Sequence, residues 1–339
     1  MGLDIGSSSI KVVRLESRAD GPRLVSYGVA DLLPEAIVEG EIMDRQLVVD
    51  AIQNLFEQCG IRDRKVAAGI AGRGVSVRKI TMDRLDLKEA REAIQWEAEQ
   101  YVPYDINDVS LDFEILDVDV GPKQMQVLLV AAKKEIVNTH ADLIREAGLV
   151  PAVIDINSFA VQNAAELNYD FVRDEAAALV NVGAELTNVN IVRGGIPLYT
   201  QDLSIGGDSF IESIQKRYQV SRDEAVAACR EAEGSSIDVA PAVQAFGDEV
   251  GAGIERSVTY LKSSGEAERI DRILLSGGGA RIPGLPQILA ERQRVPVDII
   301  DPLRRISYAP EAFGDADPRK IGPQLTVGVG LALRKVDQA

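Results

Sequence analysis

The chain predicts an α/β fold of two related lobes with a small α+β unit inserted in the first, on three observations. A glycine hairpin at the start is echoed near the middle, a third glycine turn follows a buried-looking strand, and the pattern between about residues 75 and 155 differs from its flanks. The opening, GLDIGSSSIKVVRL, places two β-branched strands around a Gly/Ser loop, the mark of a β-hairpin. Its echo is LVNVGAELTNVNIVR, where Asn181 stands in the place of Asp4 and Gly183 in that of Gly6. A repeat this far apart implies two related halves rather than a solenoid, with both hairpins facing one cleft. The third turn, RILLSGGGARIPGL, combines consecutive glycines, which let backbone approach a flat ligand closely, with a helix start whose N–H groups are free. Each turn alone reads equally well as a plain connector; three in this order do not. Neither a P-loop nor the dinucleotide GxGxxG fingerprint follows a strand.

Composition narrows the function. At 339 residues and 46% hydrophobic, the chain can bury a large core and is long enough for two or three domains. The net charge of −16 argues against a bare nucleic-acid or anionic-membrane binder and favours partners with basic segments. Cys59 and Cys229 match no CxxC spacing, which fits a reducing, cytoplasmic setting. No apolar run approaches the roughly 18 residues of a membrane span, so any membrane role goes through a partner. His140 is the single histidine, which leaves no material for a histidine triad or metal site and assigns it a structural role.

In chain order, residues 1–74 form the first part of one lobe: the hairpin, a meander, an apolar helix over 47–59 ended by Gly60, and the strand VAAGIAG. Residues 75–155 form the insertion: strand SVRKITM, a helix over 87–101, strands VSLDFEI and MQVLLVAA, a helix over 135–147 and strand AVIDI. In VSLDFEILDVDV the alternation on Val109, Leu111, Phe113 and Ile115 shifts phase to Leu116, Val118 and Val120, which predicts a β-bulge. The helix over 87–101 starts on an Asp86/Glu89 capping box and stops before Pro103, with Leu87, Ala90, Ile94, Ala98 and Tyr101 on one stripe. Trp96 projects from the opposite, charged side. Either another lobe covers it or it fits a partner's groove, since Trp is enriched in binding hot spots. A connecting helix follows over 156–175, then the second lobe over 176–310, whose long helix buries Val243, Phe246, Val250, Ile254, Val258 and Leu261. Residues 311–339 return to the first lobe through GPQLTVGVGLALRK, where Gly328 and Gly330 permit close packing.

These residues carry a resemblance that spans essentially the whole chain. GLDIGSSSIK, NVGAELTNVNIV with IGGDSF, and LLSGGGARIPGL resemble the first phosphate, second phosphate and adenosine motifs of the actin-like ATPase superfamily. The stretch EAREAIQWEAEQYVPYDINDVSLDFEIL is similar to the inserted, SHS2-like subdomain of the PilM family of type IV pilus assembly proteins, relatives of the division protein FtsA. The resemblance implies an actin-like two-lobed ATPase fold that holds ATP or ADP with Mg2+. It makes Asp4 the metal-side carboxylate, Gly6, Ser7, Ser8 and Ser9 the first phosphate cradle, and Lys11 a phosphate counter-charge. Gly183, Ala184 and Glu185 become the second cradle and Gly277, Gly278 and Gly279 the adenosine platform. It further implies a cytoplasmic scaffold, peripheral to the inner membrane through protein partners. Such a scaffold binds the N-terminal tail of an inner-membrane, PilN-like pilus protein near the insertion and links it to the pilus motor ATPases, with Trp96 the partner-binding candidate.

Two departures from the resemblance weaken hydrolysis and adenine binding. Asn181 stands where relatives carry an Asp, which removes a formal charge, and Val226 and Cys229 occupy places where an adenine-flanking Glu and Lys are usual. An active ATPase or sugar-kinase-like phosphotransferase of the same fold is the alternative, with Asp202 and Asp208 as its available carboxylates. An FtsA-like division protein is a third reading, which expects a terminal membrane-binding helix that LALRKVDQA is too short to supply.

Overall fold

The computed structural model describes residues 1–38, 40–121, 123–230 and 237–334. The opening hairpin consists of β1 (Gly2–Ile5) and β2 (Ser9–Arg18), continued by β3 (Gly21–Asp31). A two-rung hairpin of β4 (Ile37–Val38) and β5 (Glu41–Ile42) leads to α1 (Arg45–Gln58), whose start is capped by the Asp44 carboxylate accepting from Leu47 N–H. β6 (Lys65–Ile70) then pairs parallel to β1. β1 is buried on both faces, as befits a central strand, and it carries Asp4 into the interior among Gly2, Leu3 and Ile5.

The insertion contains β7 (Val75–Asp83), α2 (Leu87–Ala98), β8 (Val109–Gly121) and β9 (Gln124–Lys133), with strand order β7-β9-β8. The capping box is present, with Asp86 accepting from Glu89 N–H and the Glu89 carboxylate reaching back to Asp86 N–H. The bulge is also present: the register of β8 on β9 slips between Ile115 and Asp117. The slip turns Leu116 toward a separate small cluster with Val77, Leu128 and Ile156. Val118 and Val120 have side chains outside the described residues. Of the α2 stripe, Ala90, Ile94 and Ala98 are buried, whereas Leu87 and Tyr101 at its ends are exposed. Trp96 is 73% exposed, so no other lobe covers it.

The sequence assigns the next two elements to the insertion, and their packing assigns them to the first lobe. α3 (Lys134–Glu146) puts Leu143 and Ile144 into the same core as Leu3, Ile10 and Ile52. β10 (Val150–Ile156) pairs parallel with β6, from Val150 opposite Lys65 to Ile156 opposite Ile70. The resulting sheet has the order β10-β6-β1-β2-β3 and then β16 (Ser307–Tyr308), which pairs with β3. The chain thus re-enters the first lobe slightly before the residue 311 read from the sequence, with Leu303 and Ile306 already in its core.

α4 (Asn157–Asn168) leads to the second lobe, whose sheet has the order β13-β12-β11-β14-β15. Its strands are β11 (Ala176–Val182), β12 (Thr187–Arg193), β13 (Ile196–Leu203), β14 (Arg272–Ser276) and β15 (Val297–Ile299). Its helices are α5 (Gly207–Tyr218), α6 (Arg222–Arg230), α7 (Ala240–Ser263) and α8 (Leu285–Gln293). The expected stripe of α7 is buried at Val243, Phe246, Val250, Ile254 and Leu261, with Val258 partly so. β7 of the insertion lies along β13, where Lys79 pairs with Glu266 and Tyr199 stacks on Tyr260.

After α9 (Pro318–Ile321), α10 (Thr326–Ala332) packs on α4 and β1. A Cβ at Gly330 would lie 1.7 Å from the Ala160 carbonyl oxygen, so only glycine fits. The clash is with backbone and has no side chain to yield, so Gly330→Ala should destabilise the fold by about 3 kcal/mol, the upper part of the usual overpacking range. Urea unfolding midpoints check this, and an unchanged midpoint would contradict the close approach.

Candidate functional site

All three glycine turns open onto one cavity of about 610 Å³, within the roughly 300–1,000 Å³ of small-molecule sites. On the first-lobe wall, the β1–β2 loop closes with Gly6 N–H donating to Ser9 O at 3.2 Å, and Leu32 N–H fixes Ser8 O at 2.9 Å. Asp4 and Lys11 are register partners across that hairpin, and their side chains pair at 3.3 Å. Lys11 Nζ also donates to Ser9 O, so the cation is held at the base of the loop. Asp4, Gly6, Ser7, Ser8, Ser9 and Lys11, the candidates of the first hairpin, all line the cavity.

On the opposite wall, Gly183 N–H donates to Leu186 O at 2.9 Å. The first turn of α5 locks that loop from behind, with Gly207 N–H on Gly183 O and Asp208 N–H on Ala184 O. Gly183 and Ala184 line the cavity; Glu185 does not, because the closed turn presents Leu186 there instead. Gly277 has φ +84°, and a Cβ on it would meet the Val182 carbonyl at 2.3 Å. Gly277, Gly278 and Gly279 therefore form a bare backbone floor beside the second hairpin.

Val226 and Cys229 border the cavity, and so do residues that sequence reasoning missed. Arg222 precedes Val226 by one helical turn, so the 222/226/229 spacing on α6 could have identified it. It pairs with Asp208, which also lines the cavity. Arg281, Asn157, Asn188 and Gln324 add to the polar lining, beside Asn181. Burial pushes the Cys229 thiol up, keeping it protonated and unreactive at neutral pH.

Neither carboxylate available to a phosphotransferase is free. Asp208 is paired, and Asp202 lies outside the cavity wall, accepting from Asn188 Nδ2 at 2.6 Å and Gly72 N–H at 2.6 Å. Desolvation pushes the Asp202 carboxyl up despite those two bonds. Among the described residues, no group of three or more His, Cys, Asp or Glu side chains is arranged to hold a metal ion.

Residues 2–336 match the family model described as type IV pilus assembly protein PilM. The chain belongs to this family. A solved PilM-family chain, from the "PilM-PilN type IV pilus biogenesis complex", matches with a TM-score of 0.86 and 29% identity, covering 99% of this chain and 98% of that one. Cell division protein FtsA of Streptococcus pneumoniae is 23% identical over 365 residues, covering 94% of this chain and 77% of FtsA. MreB 5 of Spiroplasma citri bound to AMPPNP matches with a TM-score of 0.55 and 10% identity, over 97% of this chain and 93% of its own. At that identity the likeness concerns fold alone, and the fold is the actin-like, two-lobed one.

His140 of this PilM-family chain is buried, and its imidazole borders the cavity while Nδ1–H donates to Ile136 O at 3.0 Å. Burial holds its pKa below the ordinary value, and the backbone bond offsets only part of that. The folded state therefore stays neutral where the unfolded chain starts to take up a proton. The contribution is fully present above about pH 6.5 and is lost as pH falls through the unfolded value toward the folded one. His140 is the single histidine, so one substitution isolates its share of the slope of unfolding free energy just below pH 7. His140→Gln should flatten that slope in urea titrations at stepped pH; an unchanged slope would refute the burial argument.

Proposed function

We propose that this PilM-family chain is a nucleotide-binding scaffold of a type IV pilus assembly platform. It holds ATP or ADP in the cleft and takes the N-terminal tail of a PilN-like inner-membrane protein at the insertion. It links that tail to the pilus motor ATPases, working at the cytoplasmic face through protein partners. The single observation that carries the reading is the whole-length match to the PilM-family chain of a PilM–PilN complex, insertion included. Among the described residues, no helix is long and apolar enough to cross a membrane, in keeping with attachment through a partner.

In the cleft, the loop N–H groups around Gly6–Ser9 and Gly183–Ala184 receive phosphate oxygens, and Lys11 supplies a counter-charge. Gly277–Gly279 allow the nucleoside to lie on bare backbone, with Val226 and Cys229 beside it. Asp4 suits Mg2+, a hard cation that keeps most of its waters and takes one or two carboxylates beside the phosphates, whose charge it would neutralise. Asn181 offers a neutral amide on the far wall, so the site favours holding nucleotide over fast hydrolysis. Trp96, exposed on α2 with Glu89, Glu92 and Glu99 on the same side, is the proposed anchor for the tail.

A pull-down of the full chain with the partner's tail peptide tests the scaffold. The tail should be retained, and Trp96→Ala should weaken it about tenfold, as loss of an aromatic hot spot does. Absence of retention would sink the reading, and an unchanged affinity in the variant would remove Trp96 from the site. For the cleft, calorimetric titration of ATP with and without Mg2+ should show binding, with turnover slow in the wild type and faster in Asn181→Asp. Robust wild-type turnover would overturn the view of a slow hydrolase.

A further inference from the structure

Asn181 belongs to a polar row that leaves the cleft. Across the second-lobe sheet Ser276 lies opposite Asn181, Asn181 opposite Asn188, and Asn188 opposite Asp202, one residue from each of four adjacent strands. Ser276 Oγ–H donates to Asn181 Oδ1 at 3.1 Å, and Asn181 Nδ2–H to Asn188 Oδ1 at 3.0 Å. Asn188 Nδ2–H donates to Asp202 Oδ1 at 2.6 Å. The other Asp202 oxygen accepts Gly72 N–H at 2.6 Å. Gly72, at φ +100°, lies on the segment that leaves β6 for the insertion.

The row therefore begins at the cleft, which Asn181 and Asn188 line, and ends at a second cavity of about 210 Å³ where the insertion meets both lobes. Every bond from Ser276 to Asp202 runs the same way and stops on a carboxylate, which only accepts and takes Gly72 N–H from the other side. Turning one amide over would set donor against donor or acceptor against acceptor, so the row rearranges as a unit. Ser276, Asn181 and Asn188 are buried, and water cannot readily replace a bond lost among them. At the same corner Arg73 donates to Ser204 Oγ at 3.4 Å and Tyr104 to the Arg73 carbonyl; the Gly72–Asp202 contact is the one continuous with the row.

We infer that this row couples the occupant of the cleft to the seating of the insertion: a nucleotide that engages the Asn181 or Asn188 amide shifts the Asp202–Gly72 bond at the insertion's base. The inference rests on the nucleotide reading of the cleft. Asp202 and Asn188 are positioning residues in it, acting through Gly72.

Hydrogen exchange by mass spectrometry on the full chain tests it, followed at the segment around Gly72. In the absence of nucleotide, Asn181→Ala at one end of the row should speed exchange at Gly72 on the order of tenfold, within the usual range of coupling between sites. Peptides from α7 should not change. Ser276→Ala, which removes only the first hydroxyl, serves if that variant does not fold. ADP with Mg2+ should change Gly72 exchange in the wild type by a similar factor. Asp202→Asn, which places an NH2 against one of its two donors, should abolish that response while its ADP affinity by calorimetry stays within about twofold. Exchange at Gly72 that ignores the cleft-end variants overturns the row. ADP that binds without moving Gly72, or that moves it equally in Asp202→Asn, overturns the coupling. If ADP does not bind the wild type, the nucleotide reading fails, and the inference of nucleotide coupling falls with it; the nucleotide-free variants still decide whether the row is connected.

Discussion

The cleft depends on how closely α4 and α10 approach. Both helices lie between the two large sheets and share one core with Ala67 of the first-lobe sheet and Leu179 and Leu274 of the second-lobe sheet. The α4 face toward that core carries Ala160, Val161 and Ala165, and Gly330 of α10 rests on the Ala160 carbonyl. Small residues at a crossing bring helix axes closer than ordinary side chains permit. The spacing of the helices fixes the spacing of the sheets, and so whether the β1–β2 and β11–β12 turns face one another across a gap of molecular size. Gly2 obeys the same constraint, since a Cβ there would strike the Gly328 carbonyl at 2.1 Å.

What was legible in the sequence was local, and what was not depended on placement. Glycine turns announce themselves because their geometry needs residues without a Cβ, so the three cavity walls could be read directly. The capping box at Asp86 and the bulge after Ile115 were legible because each is set by residue spacing within one short segment. The allegiance of α3 and β10 was not: periodicity shows that a helix has a buried face, not which sheet covers it. The exposure of Trp96 likewise follows from where the other lobe sits. For the polar row, counting back from the Gly183 turn pairs Asn181 with Asn188. Counting on to Asp202 fails, because the register of β12 on β13 shifts between Ile191 and Val192.

The charge of the chain and the charge of its cleft have opposite tendencies. The sequence carries −16 overall, yet Lys11, Arg222 and Arg281 reach the cavity against Asp4 and Asp208. Lys11 is tied to Asp4 and Arg222 to Asp208, so these two cations are positioned by carboxylates rather than left to leave for solvent. Oriented loop N–H groups add fixed partial positive charge at the two hairpins. An anion entering from an acidic surface thus meets an inward gradient made by a few placed groups.

Asn181 answers two demands that conflict. Under the proposed nucleotide reading a metal-side wall would be served best by a carboxylate, whereas the polar row needs a residue that accepts from Ser276 and donates to Asn188. An Asp at 181 would supply acceptors only. Asn188 would then have to turn its NH2 toward position 181 and its oxygen toward Asp202, setting acceptor against acceptor unless Asp202 took up a proton. Burial already pushes the Asp202 carboxyl toward protonation, so that is where the cost would fall. The amide thus removes a charge from the cleft and keeps the row unbroken from Ser276 to Gly72.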